Sequence, residues 1–269
     1  MSVYLRLLSS KKSQKLVHKK LHKLTKETSK SLIDYLFPPV CLNCLTPLEE
    51  PHKVCSDCWQ NIEFLVAPLC EIKGTPFPFD LEPGTISAAA IKNPPEYDKA
   101  RGVAAYQGTM KDLIQKLKYN DRHELLNLLV NWMKFSGKEL IQQSDLIVPI
   151  PLYKSRLWER RFNQSALLTK RLSEQTKTPY DCSIFHRKKK TRSQVGLTSK
   201  ERHQNLKNAF IIEETKRKKL EGKSILVIDD VITTGATINS AAIALKKSGA
   251  RSVNILSLAI VTDSHNQFM

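Results

Sequence analysis

The stretch Ile225-Leu-Val-Ile-Asp-Asp-Val-Ile-Thr-Thr-Gly-Ala-Thr237 joins a short apolar run, two adjacent acids and a Thr/Gly loop. The four apolar residues predict a buried strand, and the pattern from Ala236 onwards predicts a helix. Asp229 and Asp230 directly follow the apolar run, so we expect them at the carboxyl end of the strand, where open α/β sheets bind ligands. An acidic cap on an ordinary helix would explain one of the two acids but not the pair.

The loop between this strand and helix has the composition of a phosphate-binding site. Its backbone amides and the helix N-terminus offer hydrogen-bond donors and the positive end of a dipole, and the threonine hydroxyls add donors. Gly235 lets the backbone approach a ligand closely. The neighbouring carboxylates would accept hydrogen bonds from two vicinal sugar hydroxyls. The stretch therefore predicts a ribose 5-phosphate site, whose binding residues are Thr233, Thr234, Gly235, Ala236 and Thr237.

Predicted strands and helices alternate across the second part of the chain. Strands are predicted at 145–150, 224–228 and 252–260, and helices at 112–132, 155–175 and 236–248. This alternation, with strands that read as buried, predicts an α/β fold in which helices cover both faces of a parallel sheet. No sequence repeat with a period of about 20 to 50 residues is evident.

Four of the six cysteines form two C-x-x-C pairs, Cys41/Cys44 and Cys55/Cys58. Each pair can present two thiolates from one tight turn to a tetrahedral ion, and Zn²⁺ is the usual occupant. Four thiolates leave no open coordination position, which predicts a structural site. The ion would supply folding free energy to a Cys- and Pro-rich segment with little core of its own. Redox cysteines and ordinary buried thiols are the alternatives, although a redox C-x-x-C is normally single.

Basic residues outnumber acidic ones, with 43 Lys+Arg against 26 Asp+Glu and a net charge of +17. The excess is concentrated in residues 1–40 and 187–219. Such a charge distribution attracts polyanions, whether nucleic acid, anionic membrane or phosphorylated small molecules, and a solvated surface is the alternative. Residues 1–35 are predicted to form a basic helix that ends before Phe37-Pro38-Pro39.

No apolar stretch reaches the ~20 residues that would span a bilayer. The first residues also lack the order of charged and apolar regions that marks a secretory signal. We therefore expect a soluble, cytoplasmic protein.

Residues 225–237 resemble the 5-phosphoribosyl-1-pyrophosphate (PRPP) motif of the type I phosphoribosyltransferases. More narrowly, the chain from about residue 36 to residue 261 resembles the ComF family of competence-associated proteins. The sequence blocks that carry this resemblance are LFPPVCLNC at 36–44, CSDC at 55–58, YQG at 106–108, LKY at 117–119, VPIPL at 148–152, RRFNQ at 160–164, QVGL at 194–197, ERHQN at 201–205 and NAF at 208–210.

The resemblance implies a type I phosphoribosyltransferase fold with a small N-terminal zinc module built on four cysteines. It implies that the PRPP loop binds the 5-phosphate and ribose, with Asp229 and Asp230 as the catalytic acids. A second loop would hold the pyrophosphate, with Lys154 and Arg156 as candidate contacts, and Mg²⁺ would bridge pyrophosphate and ribose oxygens. The basic stretch after residue 187, which includes Arg192, would close over the site.

These observations divide the chain into a basic helical extension at 1–35, a zinc module and linker at 36–98, a phosphoribosyltransferase-like domain at 99–263 and a tail at 264–269. Two functions follow from the resemblance. In the first, the protein binds PRPP and acts in natural competence, handling incoming single-stranded DNA through segments 1–30 and 187–219, with the competence machinery as a candidate partner. In the second, it is an active enzyme that transfers phosphoribose from PRPP to an unidentified nitrogen acceptor.

The chain departs from the family pattern at two positions. Family members usually carry a further C-x-x-C-G pair, but Cys70-Glu-Ile-Lys73-Gly74 keeps only its first cysteine, so a second metal site is not expected. The resemblance leaves open whether Cys70 or His52 replaces a ligand of the main set. Cys182 is solitary and, like Cys70, is otherwise expected to be a small core residue. Arg161 stands where glycine is usual.

Overall fold

The computed structural model describes residues 38–119, 124–152, 158, 161–187 and 210–262. Several predicted features lie outside the described residues, namely the basic helix at 1–35, the candidate pyrophosphate contacts Lys154 and Arg156, Arg192, and residues 188–209 of the second basic segment. The chain divides into two compact units, Met1–Cys55 and Ser56–Met269. No helix among the described residues is both long and apolar enough to cross a membrane.

The helices of the described residues are α1 (Ser56–Gln60), α2 (Ala88–Lys92), α3 (Gly108–Tyr119), α4 (Leu125–Ser136), α5 (Lys138–Gln142), α6 (Gln164–Thr176), α7 (Glu214–Arg217) and α8 (Ala236–Lys247). The strands are β1 (Lys99–Ala105), β2 (Leu146–Pro149), β3 (Phe185–Arg187), β4 (Phe210–Ile212), β5 (Ser224–Ile232) and β6 (Ser252–Ile260).

Strands β1, β6, β5 and β2 form a four-stranded sheet in that order, and every neighbouring pair is parallel. Strands β3 and β4 form a separate antiparallel pair. Because parallel strands need a crossover between them, helices are inserted between successive strands of the sheet. The predicted α/β class with a parallel sheet is confirmed.

Helices cover both faces of this sheet. Ile225 and Val227 of β5 pack in one buried cluster with Ile238, Ala241 and Leu245 of α8. Leu226 and Ile228, which point to the opposite face because successive strand residues alternate, are also fully buried. On the remaining elements, α6 contacts β2 and β5, and α4 contacts β1 and β6. The continuous apolar runs of the strands are therefore explained by burial on both sides.

Three of the expected elements differ from the sequence-based bounds by more than two residues. Strand β5 continues through both acids to Ile232, because its backbone stays paired with β6, for example at Val231 opposite Ala259. The helix expected at 155–175 begins at Gln164 instead, where Asn163 caps it. The helix expected at 112–132 is described as two helices, α3 and α4. Strand β1, which the sequence-based assignment did not include, forms one edge of the sheet.

Candidate active site and cysteine centre

Asp229 lies near the carboxyl end of β5 and is held by two hydrogen bonds. Its Oδ1 accepts the Ser165 hydroxyl at 3.2 Å and the backbone N–H of Asp230 at 2.9 Å. Burial, and secondarily the negative charge of Asp230, raises the pKa of Asp229 to about 7, despite the opposing effect of these two hydrogen bonds. A carboxyl group with this pKa exists in both protonation states near neutral pH.

Asp230 forms an ion pair with Lys118. The Lys118 Nζ lies 2.9 Å from Asp230 Oδ2, and the two side chains are only 13% and 16% exposed. Lys118 stands in the last turn of α3, far from Asp230 in sequence. Although LKY at 117–119 is one of the blocks that carry the family resemblance, its lysine was not predicted to belong to the site.

The loop after β5 leads into α8, whose N-cap residue is a glycine. Gly235 is the N-cap residue of α8, with φ +75°, and as a glycine it has no side chain that could cap the helix. Thr233 and Thr234 are exposed, while Ala236 and Thr237 are partly buried in the first turn. Because the first amides of an α-helix lack intrahelical partners, this turn presents donors and the positive end of the helix dipole to a ligand.

Space at this loop is open. A Cβ built on Gly235 would meet only the Asn239 Nδ2, at 3.9 Å. The side chain of Asn239 is engaged elsewhere, since its Oδ1 accepts the backbone N–H of Glu96 at 2.9 Å. The predicted residues of the loop and the two acids are therefore brought to one edge of the sheet, and no side chain of the described residues fills the turn at Gly235.

The start of α6 joins this edge to the end of β2. Asn163 caps α6 by accepting the backbone N–H of Ser165 at 3.1 Å, and its Nδ2 donates to the carbonyl of Ile150 at 2.9 Å. Gln164 donates to the carbonyl of Lys118 at 3.4 Å. Through these contacts Asn163 and Gln164, which end the sequence block at 160–164, position Ser165 beside Asp229. This block carried the family resemblance, but its role in the site was not predicted.

The four cysteines of the two C-x-x-C pairs come together. Their sulphur atoms all lie within 4.8 Å of one another, and three of the four residues are buried. Neither Cys70 nor His52 joins this group among the described residues. Four thiolates at this spacing match the tetrahedral donor set of a structural Zn²⁺ site.

Hydrogen bonds to sulphur favour the thiolate form at this centre. The pKa of Cys44 is lowered to about 6, chiefly by the hydrogen bond between its sulphur and the Thr46 hydroxyl at 3.0 Å. Burial of Cys41 opposes ionisation, but backbone N–H groups of Cys44, Cys55 and Asn43 outweigh it and lower the pKa of Cys41. Thiolates are the form that binds a metal ion.

Two family models match the chain. The model described as "Double zinc ribbon domain" matches residues 32–89, and the model described as "Phosphoribosyl transferase domain" matches residues 164–267. The first contains the cysteine centre, and the second contains Ser165, both acids of β5 and the loop before α8. These matches confirm the predicted combination of a zinc module with a type I phosphoribosyltransferase fold.

Curated relatives resemble the chain over most of its length. The chain is 31% identical over 226 residues to the "DNA utilization protein YhgH" of Escherichia coli, covering 81% of this chain and 95% of that protein. It is 29% identical over 225 residues to "Competence protein F" of Haemophilus influenzae, covering 81% and 96%. It is 28% identical over 218 residues to "Competence protein ComFC" of Bacillus subtilis, covering 78% and 85%. On this similarity, which covers about four fifths of the chain, the chain belongs to the ComF family of competence-associated proteins.

Proposed function

We propose that the protein binds PRPP at the carboxyl edge of its parallel sheet and acts in the use of incoming DNA. The observation that carries the first part is the N-terminus of α8, which is reached through Gly235 in the left-handed conformation and follows the Asp229–Asp230 pair within six residues. An anion site next to two carboxylates suits a sugar phosphate, because the phosphate oxygens accept hydrogen bonds from amides and the sugar hydroxyls can donate hydrogen bonds to carboxylates.

In this proposal the amides of residues 235–237 bind the 5-phosphate, and the two acids accept the ribose hydroxyls. Lys118 balances the charge of Asp230, and the raised pKa of Asp229, about 7, lets Asp229 change protonation near neutral pH. The carboxylates are also the oxygen ligands available to Mg²⁺ at this edge, directly or through water. When bound, Mg²⁺ would offset the charge of the pyrophosphate group. Lys154 and Arg156 remain the proposed pyrophosphate contacts.

Calorimetric titration of PRPP into the full chain, with and without Mg²⁺, tests this assignment. We expect Asp230→Asn to weaken Mg²⁺-dependent binding at least about tenfold, since it removes one charged acceptor. The matched control is Asp80→Asn, an exposed acid far from the site in sequence, which should bind like the wild type. Equal affinities of all three proteins would contradict the assignment.

The same three proteins also test whether the site catalyses phosphoribosyl transfer. If the protein is an active transferase, adding its nitrogen acceptor to PRPP and Mg²⁺ breaks the bond between ribose C1 and pyrophosphate and forms a C1–N bond. A pooled set of bases, amines and oligonucleotides, followed by pyrophosphate release, would reveal that activity. We propose binding without assigning an acceptor, because no described residue outside the donor site points to one.

For the second part of the proposal, the partner is single-stranded DNA in the cytoplasm. The net charge of +17 favours a polyanion, and segments 1–30 and 187–219 carry most of it. An aromatic surface among the described residues favours a strand with unstacked bases. The rings of Trp59, Phe64 and Trp132 contact one another at centroid distances of 4.8 to 5.9 Å.

This aromatic cluster opens to solvent. It lines a cavity of about 700 Å³ together with Phe135, which is 87% exposed. At the same C-terminal end of α4, Lys134 lines a second cavity of about 610 Å³ together with Lys138 and Lys177. Aromatic rings beside a basic groove are the combination on which single strands bind, with bases on the rings and phosphates on the lysines.

Fluorescence anisotropy with a labelled oligothymidine measures this binding. Phe135→Ala should weaken binding by about tenfold, because stacking contributes about 1–3 kcal/mol per base. Lys134→Ala should instead lower the slope of binding against salt by about 0.7. The control is Phe79→Ala, which is 63% exposed and lines neither cavity. Wild-type affinity and salt slope in both test variants would remove this surface from the proposal.

A further inference from the structure

The backbone of the first cysteine turn is repeated 29 positions later, although no repeat is evident in the sequence. An isolated bridge joins Val40 to Pro47, and another joins Leu69 to Pro76. Three backbone hydrogen bonds of the first turn also have a counterpart in the second turn. The first turn contains the bonds Cys41 N–H to Thr46 O at 2.8 Å, Leu45 N–H to Cys41 O at 3.1 Å and Leu48 N–H to Pro39 O at 2.7 Å. The matching bonds of the second turn are Cys70 N–H to Thr75 O at 2.8 Å, Gly74 N–H to Cys70 O at 2.8 Å and Phe77 N–H to Pro68 O at 3.0 Å.

Hydrogen bonds to sulphur extend the correspondence to the metal-binding positions. The Cys41 sulphur accepts the backbone N–H of Cys44 at 3.5 Å and that of Cys55 at 3.2 Å. The Cys70 sulphur accepts the backbone N–H of Lys73 at 3.5 Å and that of Ser87 at 3.3 Å. Lys73 therefore occupies the position of Cys44, and Ser87 occupies the position of Cys55.

A short helix follows each of these second positions. In the first ribbon, residues 38–60, α1 begins directly after Cys55 and contains Cys58. In the second ribbon, residues 67–92, α2 begins directly after Ser87, and Ala90 occupies the position of Cys58. The residues of the second ribbon that correspond to the four cysteines of the first are thus Cys70, Lys73, Ser87 and Ala90.

This set does not fit a metal ion. An ammonium group and a methyl group cannot be ligands, so one thiol and one hydroxyl remain where a structural zinc needs four donors. Among the described residues, the group of Cys41, Cys44, Cys55 and Cys58 is the one set with suitable donors. The double zinc ribbon that the family model implies therefore holds one ion in this chain and not two.

The second ribbon has an internal link where the first has its ion. The Lys73 Nζ donates to the carbonyl of Ala89 at 3.0 Å, which joins the turn at residues 70–73 to α2. In the first ribbon a zinc ion would join the equivalent turn to α1. Ser87 also caps α2, because its side chain accepts the backbone N–H of Ala90.

Contacts with β1 stabilise the same turn from its other side. A Cβ on Gly74 would lie 2.3 Å from the carbonyl oxygen of Ala100, so the turn approaches the strand as closely as the backbone allows. The Ala100 N–H donates to the carbonyl of Ile72 at 2.7 Å. Arg101 donates to a Glu71 carboxylate oxygen at 2.9 Å. These contacts need no metal.

We propose that residues 67–92 form a metal-free ribbon in which the Lys73 ammonium replaces zinc as the link between the turn and the helix. The chain accordingly binds one zinc ion, and the second ribbon remains folded when that ion is removed.

Hydrogen exchange of the full chain, before and after zinc removal by a chelator, tests this proposal. Residues 38–60 should lose protection on chelation, while residues 67–92 should keep theirs. Lys73→Met should increase exchange in residues 70–92 and leave the zinc content at one ion per chain. The control is Lys92→Met, which changes an exposed lysine of α2 and should alter neither the exchange of residues 70–92 nor the zinc content.

A variant designed to bind a second zinc ion tests whether the residues of the two ribbons correspond as described. Lys73→Cys/Ser87→Cys/Ala90→Cys completes a set of four thiols with Cys70 and should raise the zinc content to two ions per chain. Two ions in the wild-type chain, equal loss of protection in both ribbons on chelation, or wild-type exchange in Lys73→Met would each overturn the proposal. The wild-type measurements decide the matter even if the triple variant does not fold.

Discussion

Lys118 and Asp230 form an ion pair of 2.9 Å at the carboxyl edge of the sheet, and both side chains are largely shielded from solvent. Shielding the two charges from water costs desolvation energy, which offsets much of their attraction, so the net contribution of the pair to stability is small. Removing one partner destabilises the fold by more than this net contribution, because the remaining charge is left shielded and unpaired. The pair places a cation beside one acid of the site, while burial raises the pKa of the neighbouring Asp229 to about 7.

The first prediction concerns this ion pair. Lys118→Met should lower the free energy of unfolding by about 1–3 kcal/mol, because it leaves a shielded carboxylate unpaired. The double variant Lys118→Met/Asp230→Asn should recover part of that loss. Urea unfolding of the two single variants and the double variant measures the coupling. As a control, Arg217→Met breaks a pair with Glu214 in which both side chains are exposed, at 52% and 78%, and should cost less than about 1 kcal/mol. Additive effects at the Lys118–Asp230 pair would show that the two residues are not coupled.

The second prediction is a pH dependence of stability in the ligand-free protein. The pKa of Asp229 is raised from 3.8 to about 7 by folding, so the folded state binds the proton more tightly than the unfolded state does. The free energy of unfolding should therefore fall as the pH rises from about 4 to above 7, with a limit of about 1.4 kcal/mol per pKa unit. Asp229→Asn should reduce this fall between pH 5 and pH 8 in denaturant titrations. An unchanged pH slope in the variant would show that Asp229 does not titrate in this range.

A third prediction uses the position where the chain departs from its family. Arg161 has φ +62°, in the left-handed region that glycine adopts without strain. Arg161→Gly should therefore raise the free energy of unfolding by about 0.5–1 kcal/mol. The opposite sign is expected for Arg171→Gly in the interior of α6, at a cost of about 1 kcal/mol. Thermal unfolding of both variants provides the test, and destabilisation by Arg161→Gly would mean that the arginine side chain outweighs its backbone strain.

The fourth prediction concerns the cysteine centre. Cys44→Ser/Cys58→Ser removes two of the four thiols, and elemental analysis should then find no bound zinc. Because metal binding supplies folding free energy, residues 38–60 should become sensitive to protease. The control is Cys182→Ser, outside the group, which should keep one ion per chain; Cys182 is exposed in the turn before β3 and is not the core residue expected from sequence. Zinc retained by the double variant would place the ion elsewhere.

Sequence predicted the fold well where the pattern was local. Strand β6 has the bounds expected from its apolar run, Ser252–Ile260, because burial on both faces requires an unbroken series of apolar residues. Strand β5 continued beyond the expected end at Ile228, since backbone pairing with β6 does not depend on whether the side chain is apolar. The start of α6 was missed because the charged residues before Asn163 do not interrupt a helical pattern clearly.

The parts of the site that sequence could not supply are contacts between distant segments. Nothing local to Lys118 or Ser165 indicates that these residues meet the acids of β5, because the topology of the sheet brings them there. The repeated ribbon was also missed, since the two turns share mainly a cysteine and a Thr-Pro pair, and the correspondence lies in their backbone hydrogen bonds.

The central claim is tested most directly by a crystal structure of the full chain with PRPP and Mg²⁺. We expect the 5-phosphate within hydrogen-bond distance of the backbone amides of residues 235–237, and the ribose hydroxyls at the carboxylates of Asp229 and Asp230. A PRPP molecule bound elsewhere, or an empty edge beside β5 at saturating PRPP, would contradict the account.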